Sequence, residues 1–90
     1  MTVRIKEGYI IKKVGPGYVV VTVGQASKEF NGMIRLNPAG AFLWQSIREG
    51  ADSREKLIRL MLERYDDLDE ATARADLDEF LDSVKIALEE

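Results

Sequence analysis

Two runs rich in β-branched and aromatic residues, Tyr9-Ile10-Ile11-Lys12-Lys13-Val14 and Tyr18-Val19-Val20-Val21-Thr22-Val23, flank the tripeptide Gly15-Pro16-Gly17. This arrangement constrains the fold more than any other feature of the chain. The two glycines allow φ > 0 and the proline fixes φ, so the pattern predicts a β-hairpin. A polar loop over 24–32 follows, and Met33-Ile34-Arg35-Leu36 predicts a short third strand.

Beyond residue 36 the apolar spacing changes from strand-like to helical. Asn37-Pro38 is a helix start, because asparagine caps free amides and proline lacks only an N–H that is unpaired at that position. The first helix is expected over 38–49, with Ala39, Phe42, Leu43, Trp44 and Ile47 making it the central buried one. Gly40 among them suggests close approach of another backbone. Gly50 closes this helix as a C′ glycine. Asp52-Ser53-Arg54-Glu55 resembles a capping box with Asp52 as the cap, opening a second helix to about Tyr65. The third helix is expected over 70–88, with an apolar stripe of Ala73, Leu77, Phe80, Leu81, Val84 and Leu88 at a 3.6-residue period. Three strands followed by three helices give an α+β arrangement, winged helix-turn-helix-like, with its antiparallel sheet at the N-terminus.

Ninety residues predict a single domain, spanning 1–90. The chain has neither cysteine nor histidine. That removes disulfides, thiolate nucleophiles, the commonest metal ligand and the commonest general base near neutral pH. Ser27, Ser46, Ser53 and Ser83 therefore have no histidine to activate them. The acidic cluster of Asp66, Asp67, Asp69 and Glu70 lacks the spacing and the glycine of a calcium loop, and it coincides with a helix start, where acids suit the dipole. The glycines form no phosphate-binding pattern. No enzyme, no metal and no cofactor is expected. The absence of a signal-like start or a membrane-length apolar run points to a cytoplasmic protein with no membrane partner.

Charge is unevenly placed. Residues 1–64 hold 11 Lys/Arg and 6 Asp/Glu, a balance of +5, whereas residues 65–90 hold 2 and 10, a balance of −8. The acidic block reads either as a solvated helix face or as a bias toward a basic partner. It argues against nucleic acid, since the third helix carries Glu70, Asp76, Asp78, Glu79 and Asp82 against Arg74 and Lys85, and phosphate contact dominates DNA affinity. Helix two, with Arg54, Lys56, Arg59 and Arg64, keeps a helix-turn-helix nucleic-acid binder as the alternative. Peptide binding fits better. An exposed third strand offers free N–H and C=O groups to an extended peptide, and an apolar helix beside it would complete a groove.

The run Leu36-Asn37-Pro38-Ala39-Gly40-Ala41-Phe42-Leu43-Trp44 carries a family likeness. So do Gly50-Ala51-Asp52-Ser53, the segment 58–62 ending at Tyr65-Asp66, and Ala75-Asp76-Leu77-Asp78-Glu79-Phe80-Leu81. Over residues 9–88 the chain resembles the PqqD-like family, small peptide chaperones also described as RiPP recognition elements for ribosomally made, modified peptides. The resemblance implies that the leader segment of a precursor peptide adds as an antiparallel strand to the third strand, beside the third helix. It implies presentation to a partner enzyme, often a radical S-adenosylmethionine (radical SAM) protein. Carried over by position, the leader-binding residues are Met33, Ile34, Arg35 and Leu36 on the strand, and Leu77, Phe80, Leu81, Val84 and Lys85 on the helix. Arg35 and Lys85 are candidates to pair with a leader carboxylate. Lys85 also has the spacing for a helical pair with Asp82. The ending Ala87-Leu88-Glu89-Glu90 departs from the glycine-leucine-leucine-like finish of many members. Nothing in the sequence ties the chain to the pyrroloquinoline quinone pathway. A protein-interaction module without a precursor peptide, a monomer or a weak dimer through the strand edge, remains a further alternative.

Overall fold

The computed structural model describes residues 2–89. Its central sheet is antiparallel, in the order β2 (Tyr9–Val14), β3 (Gly17–Thr22), β4 (Met33–Leu36). At the hairpin only Gly15 takes a positive φ, +58°. Pro16 follows it with its ring-locked negative φ, which is the type II′ pattern, whose twist matches that of the paired strands. The loop before β4 is not wholly irregular: a single helical turn, α1 (Ala26–Glu29), buries Ala26 against the core.

Three helices follow: α2 (Pro38–Arg48), α3 (Arg54–Arg64) and α4 (Glu70–Ser83). The Asn37 side chain accepts from Gly40 N–H at 2.7 Å and caps α2 as expected. Helix α2 is the buried one, with Leu43, Trp44 and Ile47 packed on Tyr9, Val20 and Leu36 from the sheet and Leu57, Ile58 and Met61 from α3. Gly40 is tight for a different reason from that expected. A Cβ there would meet the Leu36 side chain at 3.4 Å and Asn37 Oδ1 at 3.3 Å, rather than another backbone.

Two helix boundaries differ from the sequence reading. Ser53, not Asp52, caps α3, accepting from Lys56 N–H at 3.2 Å. The Asp52 carboxylate instead takes Lys56 Nζ at 3.1 Å, and Glu55 reaches across to Arg74 at 3.2 Å rather than back to the cap. The last helix is also shorter than 70–88. It ends at Ser83, a 3-10 turn covers Lys85–Ala87, and β5 (Leu88–Glu89) pairs antiparallel with β1 (Arg4–Ile5). The N-terminal segment is fastened further by Val3 N–H to the Asp52 carbonyl at 2.7 Å and Lys6 N–H to the Ala87 carbonyl at 2.8 Å. With no glycine to cap the helix, these pairings take up backbone groups near the chain ends.

Candidate peptide-binding groove

The strand order leaves one side of β4 without a partner strand among the described residues. Which of its backbone groups face that side follows from ladder parity. Val23 N–H donates to the Gly8 carbonyl at 2.8 Å, one step beyond the Tyr9↔Thr22 pair. Hydrogen-bonded pairs alternate in an antiparallel ladder. Those between β2 and β3 are therefore Ile10↔Val21, Lys12↔Val19 and Val14↔Gly17. Tyr18 and Val20 turn their amides the other way, toward Leu36 and Ile34. The N–H and C=O of Ile34 and Leu36 are thus used inside the sheet, and those of Met33 and Arg35 point out of its edge.

Side-chain faces alternate in step. Ile34 and Leu36 turn inward, and Leu36 is buried; Met33 and Arg35 are exposed. A cleft of about 590 Å³ lies along this edge. Arg35 and Leu36 form one wall. Asp76, Glu79, Phe80 and Ser83 on α4 form the other, and Leu43 and Met61 lie between. Tyr65, Asp67 and Leu68, in the connection between α3 and α4, line it as well. The Ser83 hydroxyl donates to the Phe80 carbonyl at 2.8 Å, which leaves its oxygen able to accept. Among the described residues no three His, Cys, Asp or Glu side chains cluster to hold a metal ion, and no helix is long and apolar enough to cross a membrane.

The residues singled out from the sequence are divided by this geometry. Arg35, Leu36 and Phe80 line the cleft, while Met33 and Ile34 belong to the same strand. Leu77 and Val84 are fully buried in the core. Leu81 lies on the other flank of α4 and Lys85 in the 3-10 turn after it, and both line a second cleft with Arg4, Arg54, Ile86 and Leu88. The physical reason is angular. At 100° per residue the apolar stripe of α4 faces the core, so a groove beside the helix is walled by the flank of that stripe, not its centre. Asp76, Glu79 and Ser83, which the sequence reading did not assign to the groove, form that flank together with Phe80. Their signal was present as an i, i+3, i+7 row just off the apolar stripe.

The geometry has a counterpart among solved structures. A chain described as "TbiB1 in Complex with the TbiA(beta) Leader Peptide" shares the fold with a TM-score of 0.74 at 20% identity, covering 96% of this chain and 94% of the other. Among curated proteins no sequence matches. A sequence profile described as "Coenzyme PQQ synthesis protein D (PqqD)" matches residues 17–85, from the second hairpin strand to just past α4. That span includes both walls of the groove and takes in most of the sequence, so this chain belongs to the PqqD family.

Proposed function

We propose that this protein is a non-catalytic chaperone that binds the leader segment of a ribosomally made precursor peptide as an added strand on β4. It then presents the peptide to a modifying enzyme, for which a radical SAM protein is the first candidate. The carrying observation is the coincidence of a free strand edge at Met33 and Arg35 with a groove walled by Phe80 and its neighbours on α4. Membership of the PqqD family and the fold shared with a leader-bound TbiB1 support the same reading.

The energetics say what each wall contributes. Met33 and Arg35 could each exchange a pair of backbone hydrogen bonds with the incoming strand. At about 1 kcal/mol net per bond this gives roughly 4 kcal/mol, which alone corresponds to about millimolar affinity. Backbone pairing therefore sets geometry, and useful affinity comes from side chains entering the groove toward Leu36, Leu43, Met61 and Phe80. The protein would act by raising the effective concentration of a disordered substrate at its enzyme, with no chemical step of its own.

The test is calorimetric. The N-terminal half of any short open reading frame encoded beside this gene is synthesised and titrated into the full chain. Saturable one-to-one binding that is lost when the sequence of this segment is scrambled supports the proposal. Absence of binding to every such leader sinks it and favours an interaction module without a precursor.

A further inference from the structure

The charges around the groove carry information about what fills it. Its lining holds three carboxylates, Asp67, Asp76 and Glu79, and one cation, Arg35. The ion pairs among the described residues engage other acids: Glu29, Asp52, Glu55, Glu70 and Asp78. The groove acids are thus left for a ligand; Asp76 and Glu79 sit on α4 opposite the free strand edge, and Asp67 precedes that helix. Arg35 lines the cleft at the strand edge, but its side chain leaves β4 on the exposed face opposite that of Ile34 and Leu36.

Resting on the leader-strand reading, we propose that the groove selects a leader segment by charge register, with a lysine or arginine facing α4 at Asp76 and Glu79 and an acidic residue beside Arg35. An added strand alternates its side chains. Residues on the Ile34 and Leu36 side face Phe80 and the α4 carboxylates. Residues on the Met33 and Arg35 side sit as cross-strand neighbours of the guanidinium. Asp76 and Glu79 are three residues apart on one helix face, about 4.5 Å along its axis. Same-face residues of a strand lie about 7 Å apart. A single long cationic side chain reaches both acids, and its aliphatic stem lies over Phe80. A leader with a carboxylate on that face meets two like charges instead. The specificity is therefore attractive on one face of the ligand and repulsive if the ligand is shifted by one residue, because a one-residue slip exchanges the two faces.

The probe is a displayed library of random peptides panned against the full chain. Selected peptides are then titrated into the unaltered protein, into D76N/E79Q and into D76K/E79K, with NMR reporting which residues they touch. Selected sequences are expected to be enriched in Lys or Arg and to shift Met33–Leu36. The neutral variant should weaken them about fivefold and the reversed variant tenfold or more, with affinity falling as salt rises. The neutral variant keeps side-chain shape, and far-UV circular dichroism checks the fold of both. Peptides that shift Met33–Leu36 yet show no cationic enrichment, and bind all three proteins within twofold, overturn the charge register and leave the leader reading standing. If no selected peptide perturbs Met33–Leu36, the strand reading fails and the register fails with it.

Discussion

Ladder parity makes two adjacent residues behave oppositely when replaced by proline, and the difference can be worked out before the experiment. In Arg35→Pro the lost N–H points out of the sheet, so no native ladder bond is removed. The ring meets an open edge, where strand prolines are tolerated. The cost falls on the complex. One backbone bond of about 1 kcal/mol disappears, and the carbonyl of the peptide that it satisfied is left unpaired in the groove, at about 1–3 kcal/mol. A total of about 2–4 kcal/mol corresponds to a loss of affinity of roughly 30- to 1,000-fold. In Ile34→Pro the lost N–H faces Val20 and the ring enters the sheet. The missing bond, the stranded Val20 carbonyl and the lost apolar burial sum to about 3 kcal/mol of stability. For a domain of this size that lowers Tm by about 12–24 °C. The assay pairs thermal melts with fluorescence-anisotropy titration of a labelled leader. Arg35→Pro is expected to melt near the unaltered protein and to bind poorly. Ile34→Pro is expected to melt early and, below its transition, to retain the outward-facing donors of Met33 and Arg35. An Arg35→Pro protein that folds and binds with unchanged affinity would refute the parity argument.

Three further outcomes follow from local structure. Asn37→Ala removes the side-chain oxygen that accepts from Gly40 N–H and should cost about 1 kcal/mol in urea denaturation, with an unchanged m-value. Gly8→Ala should cost more, about 2 kcal/mol. Gly8 has φ +88°, and a Cβ would come within 2.7 Å of Ala26 Cβ and 2.8 Å of the Val23 carbonyl, so thermal melting should report a clear drop. The Asp69 carboxylate, capping α4, is held below the ordinary carboxylate value by the hydrogen bond from Thr72 N–H. Its folded pKa is depressed, so the cap contributes stability above its unfolded value of about 3.9 and loses it as pH falls through the lower folded value. Asp69→Asn keeps the acceptor without the titration. The melting temperatures of the two proteins should therefore differ at pH 6, and the difference should shrink as pH falls below the ordinary carboxylate range.

The parts of the fold that were legible in the sequence are those in which many residues repeat one message. Six-residue strands around Gly15-Pro16-Gly17 and the 3.6-residue stripe from Ala73 to Val84 each carry redundant period information. The Asn37-Pro38 cap is a local chemical signal and was equally readable. The ribbon of β1 and β5 was not, because strands of two residues contain no period, and their pairing joins the two ends of the chain. Asp52 and Ser53 both have cap chemistry for α3, and Lys56 engages both. It draws the Asp52 carboxylate away as an ion pair and donates its backbone N–H to Ser53. Beside the groove, the strand Met33–Leu36 was readable as a strand from β-propensity and position. The helix residues chosen from the sequence differ in part from those lining the groove, because apolar periodicity identifies what a helix buries in its own core. Leu77 and Val84 answer to that signal, whereas Asp76, Glu79 and Ser83 line the open flank and stand out only once α4 is placed beside β4.

Amide hydrogen exchange along β4, with and without leader peptide, tests strand addition most directly. Before addition, Ile34 and Leu36 should already exchange slowly, held by β3, while Met33 and Arg35 exchange quickly. On saturation the account requires Met33 and Arg35 to slow by one to several orders of magnitude and Ile34 and Leu36 to change little. Uniform protection of all four amides, or protection confined to the second cleft around Leu81, Lys85 and Ile86, would contradict it.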